Sequence, residues 1–502
     1  MTKTRLIIIT LFLFTFYSCK KEEFKVETSV SNRTTKSDAI DGEKLNNPYT
    51  IVNMRLAFSN LKSKLGIQSA IKLKASHLYI KFMPSNDTIY GILKADSNLI
   101  LYSYPLDYKM KEATGNDHYL YSADSNSFYY SSVKIGYSLP KVDYLILDSL
   151  YIPEEDNNYN LPFDKYDLVT EALLITGNLD VNEGGTRASN WTPAGTITLW
   201  DDNFASYLPL EGVKVKARRW FTTYEGITNA SGYYQCNGSF NRDANYSLEW
   251  QRYDFEVRDG WLGTAGINGP KKTGNWDVSL KDGLYEFHAT IFKGAYYYYY
   301  KDIKNLRRPP QNSFWATQLK YRAMNESSSN NGTHCASCRF LGLGSAIKIY
   351  NPQHESQVIY STVLHETAHA SQWNMSSWHY SNAEKILLET WARGVQWELT
   401  RMVYPTYNLD FSYNRRRYTG LVEDIIDGTK SRTSYFYYQD EDNEWVYLVK
   451  SYSDQVSGYT IRQLEDAINA TTTWNNWKNN IKNLYNNATE NNLDAAFNYW
   501  AD

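Results

Sequence analysis

An apolar run extends from Leu6 to Tyr17, interrupted by Thr10 and Thr15, and apolar positions then become scarce as far as Asn46. The stretch "NPYTIVNMRLAFSNLKSK" that follows has helical spacing, and the shorter runs "HLYIKFMP", "TIYGILKA" and "LILYSYPL" predict strands. Between Thr192 and Arg258 the pattern turns to alternation, in "GTITLWDD", "LEGVKVKARRW", "GITNASGYYQCNGSF" and "NYSLEWQRYDFEV". Asn229-Ala230-Ser231-Gly232 supplies a turn between two of these runs, and the combination predicts a small β-sandwich. Beyond a glycine-rich stretch, "FKGAYYYYYKDIKNLRRPP" predicts a helix that stops at Pro309-Pro310. The tyrosines from Tyr296 to Tyr300 would coat it all round, which implies burial between layers. Ala346 to Pro352 predicts a strand ended by proline, and Glu355 to Trp373, free of Gly and Pro, predicts a helix of about five turns. Ser381-Asn382-Ala383-Glu384 reads as a capping box opening a second helix, "AEKILLETWARGVQWELTRM".

These elements predict a multidomain α+β chain, as 502 residues exceed one ordinary core. The division is a signal peptide over 1–18, a tether over 19–46, an N-terminal α+β module over 47–150 and a linker over 151–190. A β-sandwich over 191–262 and a mainly helical domain with an edge-strand sheet over 280–502 complete it. With 42% hydrophobic and 21% charged residues the chain has the composition of folded protein. A net charge of −3, with no basic run interleaved with aromatics, argues against nucleic acid as a partner.

Lys3 and Arg5 ahead of about a dozen apolar residues make a secretory h-region, too short to span a bilayer of about 30 Å. Ser18-Cys19 resembles the lipobox of bacterial lipoproteins, which implies cleavage before Cys19 and its lipidation. Lys21-Glu22-Glu23 is similar to the surface-export signal of Bacteroidetes-type lipoproteins, implying an outer-membrane anchor facing the cell surface. In an exported chain Cys335 and Cys338 are candidates for a local disulfide, leaving Cys236 single. The "GVKV…TNASGYY" layout resembles the regulatory-like β-sandwiches found beside carboxypeptidases, which carry no catalytic residue.

The chemistry concentrates in "LHETAHASQW", Leu364 to Trp373. On a helix, positions four apart lie about 40° from one another, so His365 and His369 face one ion together. Glu366, about 100° round, is placed to hold water rather than metal. A tetrahedral catalytic zinc needs a third protein ligand, and Glu389, 20 positions after His369 on the second predicted helix, supplies it. This HExxH, 19 residues, Glu arrangement resembles the thermolysin-like branch of the gluzincin metallopeptidases, over roughly Tyr285 to Met402. The resemblance implies Zn²⁺ on His365, His369 and Glu389, with Glu366 as general base for a metal-activated water. It also implies that the strand at Ala346–Tyr350 borders the cleft and pairs with substrate. Two features depart from that family. Arg393 stands where an aspartate orients the first histidine, and no histidine follows His379 to stabilise the oxyanion. A tyrosine from the stretch Tyr404–Tyr459 is the expected substitute, with Tyr459 as candidate.

The expected activity is zinc-dependent hydrolysis of peptide bonds in extracellular proteins or peptides. The competing class is a non-catalytic surface lipoprotein that recognises a glycan or a host protein and keeps the peptidase-like domain as scaffold. Glu366 speaks for the enzyme, because a scaffold has no physical use for a carboxylate beside two imidazoles.

Overall fold

The computed structural model describes residues 42–501 apart from 111–118, 121–127, 157–159, 180–188, 260–262, 313–316, 337–346, 410–416, 429–430 and 440–444. The expected signal peptide, Cys19 and the tether up to residue 41 lie outside the described residues. Strand β1 (Gly42–Lys44) leads into helix α1 (Ile51–Leu65), where Thr50 caps the N-terminus through Asn53 N and Gly66 ends the last turn at φ 63°. Strand β2 (His77–Phe82) follows. "TIYGILKA" then departs from the strand expectation and forms helix α2 (Asp87–Ala95). The reason is local: Asn86 Oδ1 accepts from Ile89 N, and Tyr90 and Leu93 bury one face at a spacing of three. "LILYSYPL" is not a strand either, and pairs only through Tyr102 with Tyr130. Its alternation is genuine, with Tyr102, Tyr104 and Leu106 all buried, but their faces meet the cations of Lys216 and Arg218 rather than a ladder. Strands β3 (Tyr108–Met110), β4 (Tyr119–Leu120), β5 (Tyr129–Lys134) and β6 (Tyr144–Leu150) complete this region with α3 (Lys165–Ile175), and β5-β2-β6 form its main sheet.

The sandwich comprises β7 (Ala194–Asp201), β8 (Ser206–Pro209), β9 (Lys214–Arg219), β10 (Thr222–Ile227), β11 (Tyr233–Gln235), β12 (Ala244–Glu249), β14 (Gly266–Lys272) and β15 (Val278–Leu280). One sheet has the order β10-β9-β12-β14-β4, the other β11-β7-β15 with β8 also on β7. Strand β13 (Phe255–Arg258), read from sequence as the end of the sandwich, instead joins the next sheet, parallel to β16 (Leu319–Ala323). One hydrophobic core therefore runs from Ile197 in the sandwich through Phe292 and Tyr321 to Val363, across the boundary expected at 262–280. Residues 41–502 cluster as a single compact unit.

The sheet beside the HExxH sequence has the order β13-β16-β18-β17, with β17 spanning Gly332–His334 and β18 Ile347–Ile349. Helix α4 (Gly283–Tyr300) lies on it, and α5 (Ser356–Met375) packs on α4 closely enough that a Cβ on Gly294 would meet Val363 at 2.9 Å. The tyrosine run sits between layers. Tyr299 belongs to the sheet-side core and Tyr298 to a second, helical core. Helix α4 ends at Tyr300, well before the prolines, where Lys301 turns to an extended backbone at φ −101° and ψ 179°. Short α6 (Ser377–Asn382) precedes α7 (Lys385–Thr400), and α8 (Leu421–Ile426), hairpin β19–β20 (Ser431–Gln439, Trp445–Ser453), α9 (Ile461–Ile468), α10 (Trp474–Leu484) and α11 (Leu493–Ala501) build the helical half. The chain is thus a mixed α+β protein with several sheets and 11 helices among the described residues.

One buried group in α4 sets an acid limit. His288 is fully buried, neither ring nitrogen has a hydrogen-bond partner, and Asp259 Oδ1 is 3.9 Å from Nε2. Burial pushes its pKa down to about 4 from 6.5. Between those values the unfolded chain takes up a proton that the folded chain refuses. Stability from this side chain is therefore complete above pH 6.5 and is lost as pH falls toward 4, by up to about 3 kcal/mol. His288→Phe should flatten this acid limb, read as the urea midpoint at pH 7 against pH 4.5.

Candidate active site

Helix α5 carries HExxH, and its start is fixed from outside. Ser356 N donates to Asp202 Oδ2 and Gln357 N to Asn203 Oδ1, each at 3.1 Å, so the tip of the β7–β8 hairpin caps it. Helix α7 presents the third acidic candidate alongside. Its start differs from the capping box read in the sequence, for Ser381 closes α6 and Glu384 is itself the N-cap residue of α7, without a side-chain bond there. The Glu384 carboxylate instead accepts from Trp474 N at 2.7 Å. The other flanking carboxylate, Glu398, is held by Lys304. Glu389 alone of the three meets the imidazoles.

Its Oε2 lies 3.3 Å from His365 Nε2 and 3.4 Å from His369 Nε2. The three donor groups lie within 4.8 Å of one another. A tetrahedral zinc with bonds of roughly 2.0–2.1 Å requires donors about 3.3 Å apart, a spacing that the two contacts of Glu389 Oε2 match. Burial would raise the Glu389 pKa, but the hydrogen bonds and charge of both imidazoles outweigh it and hold the group far below the ordinary carboxylate range. His365 Nδ1 meets Gln396 Oε1 at 3.1 Å, so Nδ1–H is the donor there, and Nε2, which faces Glu389, is the nitrogen that would turn its lone pair to an ion once its own proton is gone. The Gln396 amide is fixed in turn by Ser361 Oγ and Tyr407 OH. Gln396 thus does what an aspartate at 393 would do, and Arg393 instead lies over the Tyr418 ring at 5.4 Å.

Glu366 is 6% exposed, and burial raises its pKa against the pull of His365 and His369. Directly over it passes β17. The substrate-bordering strand expected at Ala346–Tyr350 is corrected here: β18 is paired on both sides, by β16 and β17, and the edge of the sheet is β17, antiparallel to β18. "SSSNNGTHC" shows no apolar alternation, so no periodicity announced that strand. A Cβ on Gly332 would stand 2.7 Å from Glu366 Cγ and 2.8 Å from its Oε1. Gly332→Ala should therefore displace either strand or carboxylate and lower peptide hydrolysis by about 10- to 100-fold. Unchanged metal content and an unchanged steady-state rate would contradict that reading.

Three further side chains surround the cluster. His334 on β17 stacks on the His369 ring (6.3 Å between centroids, 11° between planes), and its Nδ1 lies 3.3 Å from Tyr380 OH on α6. The Tyr380 ring is 6.1 Å from His369, while Tyr418 approaches His365 at 6.4 Å. Burial raises both phenols, and the charges of Glu366 and Glu389 raise them further, so both keep their protons at neutral pH. Tyr459 is elsewhere. It is 2% exposed in the helical core, where Glu490 is the carboxylate acting on it, and it is not one of the phenols raised by Glu366 and Glu389.

Sequence reasoning missed His334, Tyr380 and Gln396, whereas Tyr418 lies inside the stretch Tyr404–Tyr459 from which a tyrosine was expected. Only Gln396 carried a signal, since seven residues after Glu389 return to the same helix face. Cys335, next to His334, is disulfide-bonded, and Cys338 lies outside the described residues. Cys236 is free and buried in the sandwich. No protein-family model, no curated protein and no solved structure matches this chain.

Proposed function

We propose that this protein is a zinc-dependent peptidase acting on extracellular proteins or peptides, held at the outer membrane by lipid on Cys19. The observation that carries the reading is one carboxylate oxygen equidistant from two imidazole nitrogens, with a second, buried carboxylate on the neighbouring helix position. When bound, zinc supplies Lewis-acid activation of water and of the scissile carbonyl. His365, His369 and Glu389 hold it. Glu366 takes the proton of the attacking water and returns it to the leaving amine. Tyr380 donates to the carbonyl oxygen as charge develops there, in the role first sought at Tyr459, and His334 holds the phenol in place. An extended substrate adds its backbone to the edge of β17, lying beside that strand rather than between Gly332 and Glu366, which are already in contact distance.

Elemental analysis of the purified chain should give about one zinc per molecule, and cleavage of a peptide library should stop on chelation and return with zinc. His369→Ala should lose both metal and cleavage. A zinc-loaded chain that cleaves no peptide in the library would leave the scaffold reading standing, and a chain that takes up no zinc would remove the peptidase reading.

A further inference from the structure

A second polar cavity lies where the N-terminal module meets the sandwich, and it shares no residue with the His–His–Glu cluster. Its volume is about 330 Å³, and it is lined by side chains from α2, β5, β9, β10 and β12 and the segments that follow them. Pockets for small organic ligands start at roughly this size. Four cations line it, Lys94, Lys214, Lys216 and Arg252, against three carboxylates, Asp96, Glu225 and Glu249. Lys214 pairs with Glu225 at 2.8 Å and Lys216 with Glu249 at 2.6 Å. Asp96 accepts from Tyr137 OH at 2.7 Å. Arg252 bonds the Gly212 carbonyl oxygen and lies over the Tyr300 ring.

Lys94, like Arg252, has no carboxylate bonded to it among the described residues, and it is the ammonium of the two. Its ammonium bonds only neutral oxygens, Gln251 Oε1 and Thr264 Oγ1. The nearby Glu256 is already engaged by Arg258 through Oε1 and by Thr264 through Oε2. Glu256 and Glu249 act on this partly buried ammonium through space without bonding it, and an ammonium removed from water with no bonded carboxylate is costly, the usual resolutions being loss of the proton or acquisition of an anion. The other lining groups suit hydroxyls: the amides of Asn312 and Gln318, the hydroxyl of Ser103, and the exposed ring of Tyr253 as an apolar platform.

We propose that this cavity is a binding site for a carboxylate-bearing sugar of monosaccharide size, its carboxylate on Lys94 and its hydroxyls on the amide-lined wall. Such a site is independent of the peptidase chemistry, so metal-stripped protein keeps it. Titration calorimetry on the full chain, with glucuronate, galacturonate and N-acetylneuraminate as probes and glucose and acetate as controls, tests it. At least one sugar acid should bind ten-fold or more tighter than either control, and Lys94→Met should weaken it at least ten-fold while keeping the parent's melting temperature within a few degrees. Burial, with Lys214 and Lys216 adding to it and Glu249 and Glu256 opposing, lowers the Lys94 pKa to about 8, so affinity should fall from pH 7 to pH 10. That profile needs no variant and decides the matter if Lys94→Met does not fold. A flat profile, a folded Lys94→Met that binds as the parent does, glucose binding as well as the acids, or no binding of any probe overturns the proposal.

Discussion

Glu366→Gln should retain zinc and fold at parental levels while peptide cleavage falls by about 10²- to 10⁴-fold, the range of a general base removed from a positioned proton transfer. The amide preserves the volume and the contact beneath Gly332, so the cleft keeps its shape. It is not one of the three groups whose donor atoms converge, so metal affinity has no reason to change. What is lost is the proton acceptor. Because Glu366 is 6% exposed, bulk water has little access to replace it. Elemental analysis alongside library digestion separates the outcomes. Parental cleavage by a zinc-loaded variant would remove Glu366 from the mechanism, whereas loss of zinc would make it a structural prop of the cluster.

The sandwich is tied to the helix that carries the candidate site. Asp202 and Asn203 at its hairpin tip satisfy backbone donors at the first turn of α5, the helix that bears HExxH. Asp201, one residue earlier, is bonded by Tyr404 OH at 2.6 Å and by Lys293 at 3.0 Å, which joins the hairpin to α4 and to the turn that follows α7. The sandwich is therefore a brace for the helix rather than a detached spacer, and the core continuous from Ile197 to Val363 agrees.

What the sequence disclosed about the site was the part written in helical periodicity. His365, Glu366, His369 and Glu389 lie on uninterrupted helices, where spacing translates directly into direction. His334 and Tyr380 were hidden because they sit on a three-residue strand and a six-residue helix, elements too short to carry a period, and meet only through tertiary packing. The same cause explains the errors at the N-terminus. "TIYGILKA" is apolar enough for strand or helix over so few residues, and the asparagine cap before it was the deciding signal. "LILYSYPL" alternates without pairing, since alternation reports burial on one face and says nothing about where the backbone bonds go. Strand β13 escaped the sandwich because parallel partners such as β16, far along the chain, leave no turn signature.

Tyr380→Phe should lower kcat by about 10²- to 10³-fold with KM and zinc content nearly unchanged, the pattern of an interaction made only in the transition state. The phenol keeps its proton at neutral pH because burial and two neighbouring carboxylates all oppose ionisation, so it is a donor and not a base. Among the described residues its hydroxyl has one hydrogen-bonding neighbour, His334 Nδ1 at 3.3 Å, a loose contact that substrate oxygen can replace. Tyr418 is the control, since it carries the same electrostatic signature on the His365 side of the cluster. If Tyr418→Phe suffers the kcat loss and Tyr380→Phe does not, the oxyanion develops on the opposite side of the cluster, and the substrate must then cross β17 in the reverse sense. His334→Gln should fall between them, because it leaves the phenol in the site but frees it from the edge strand that aims it.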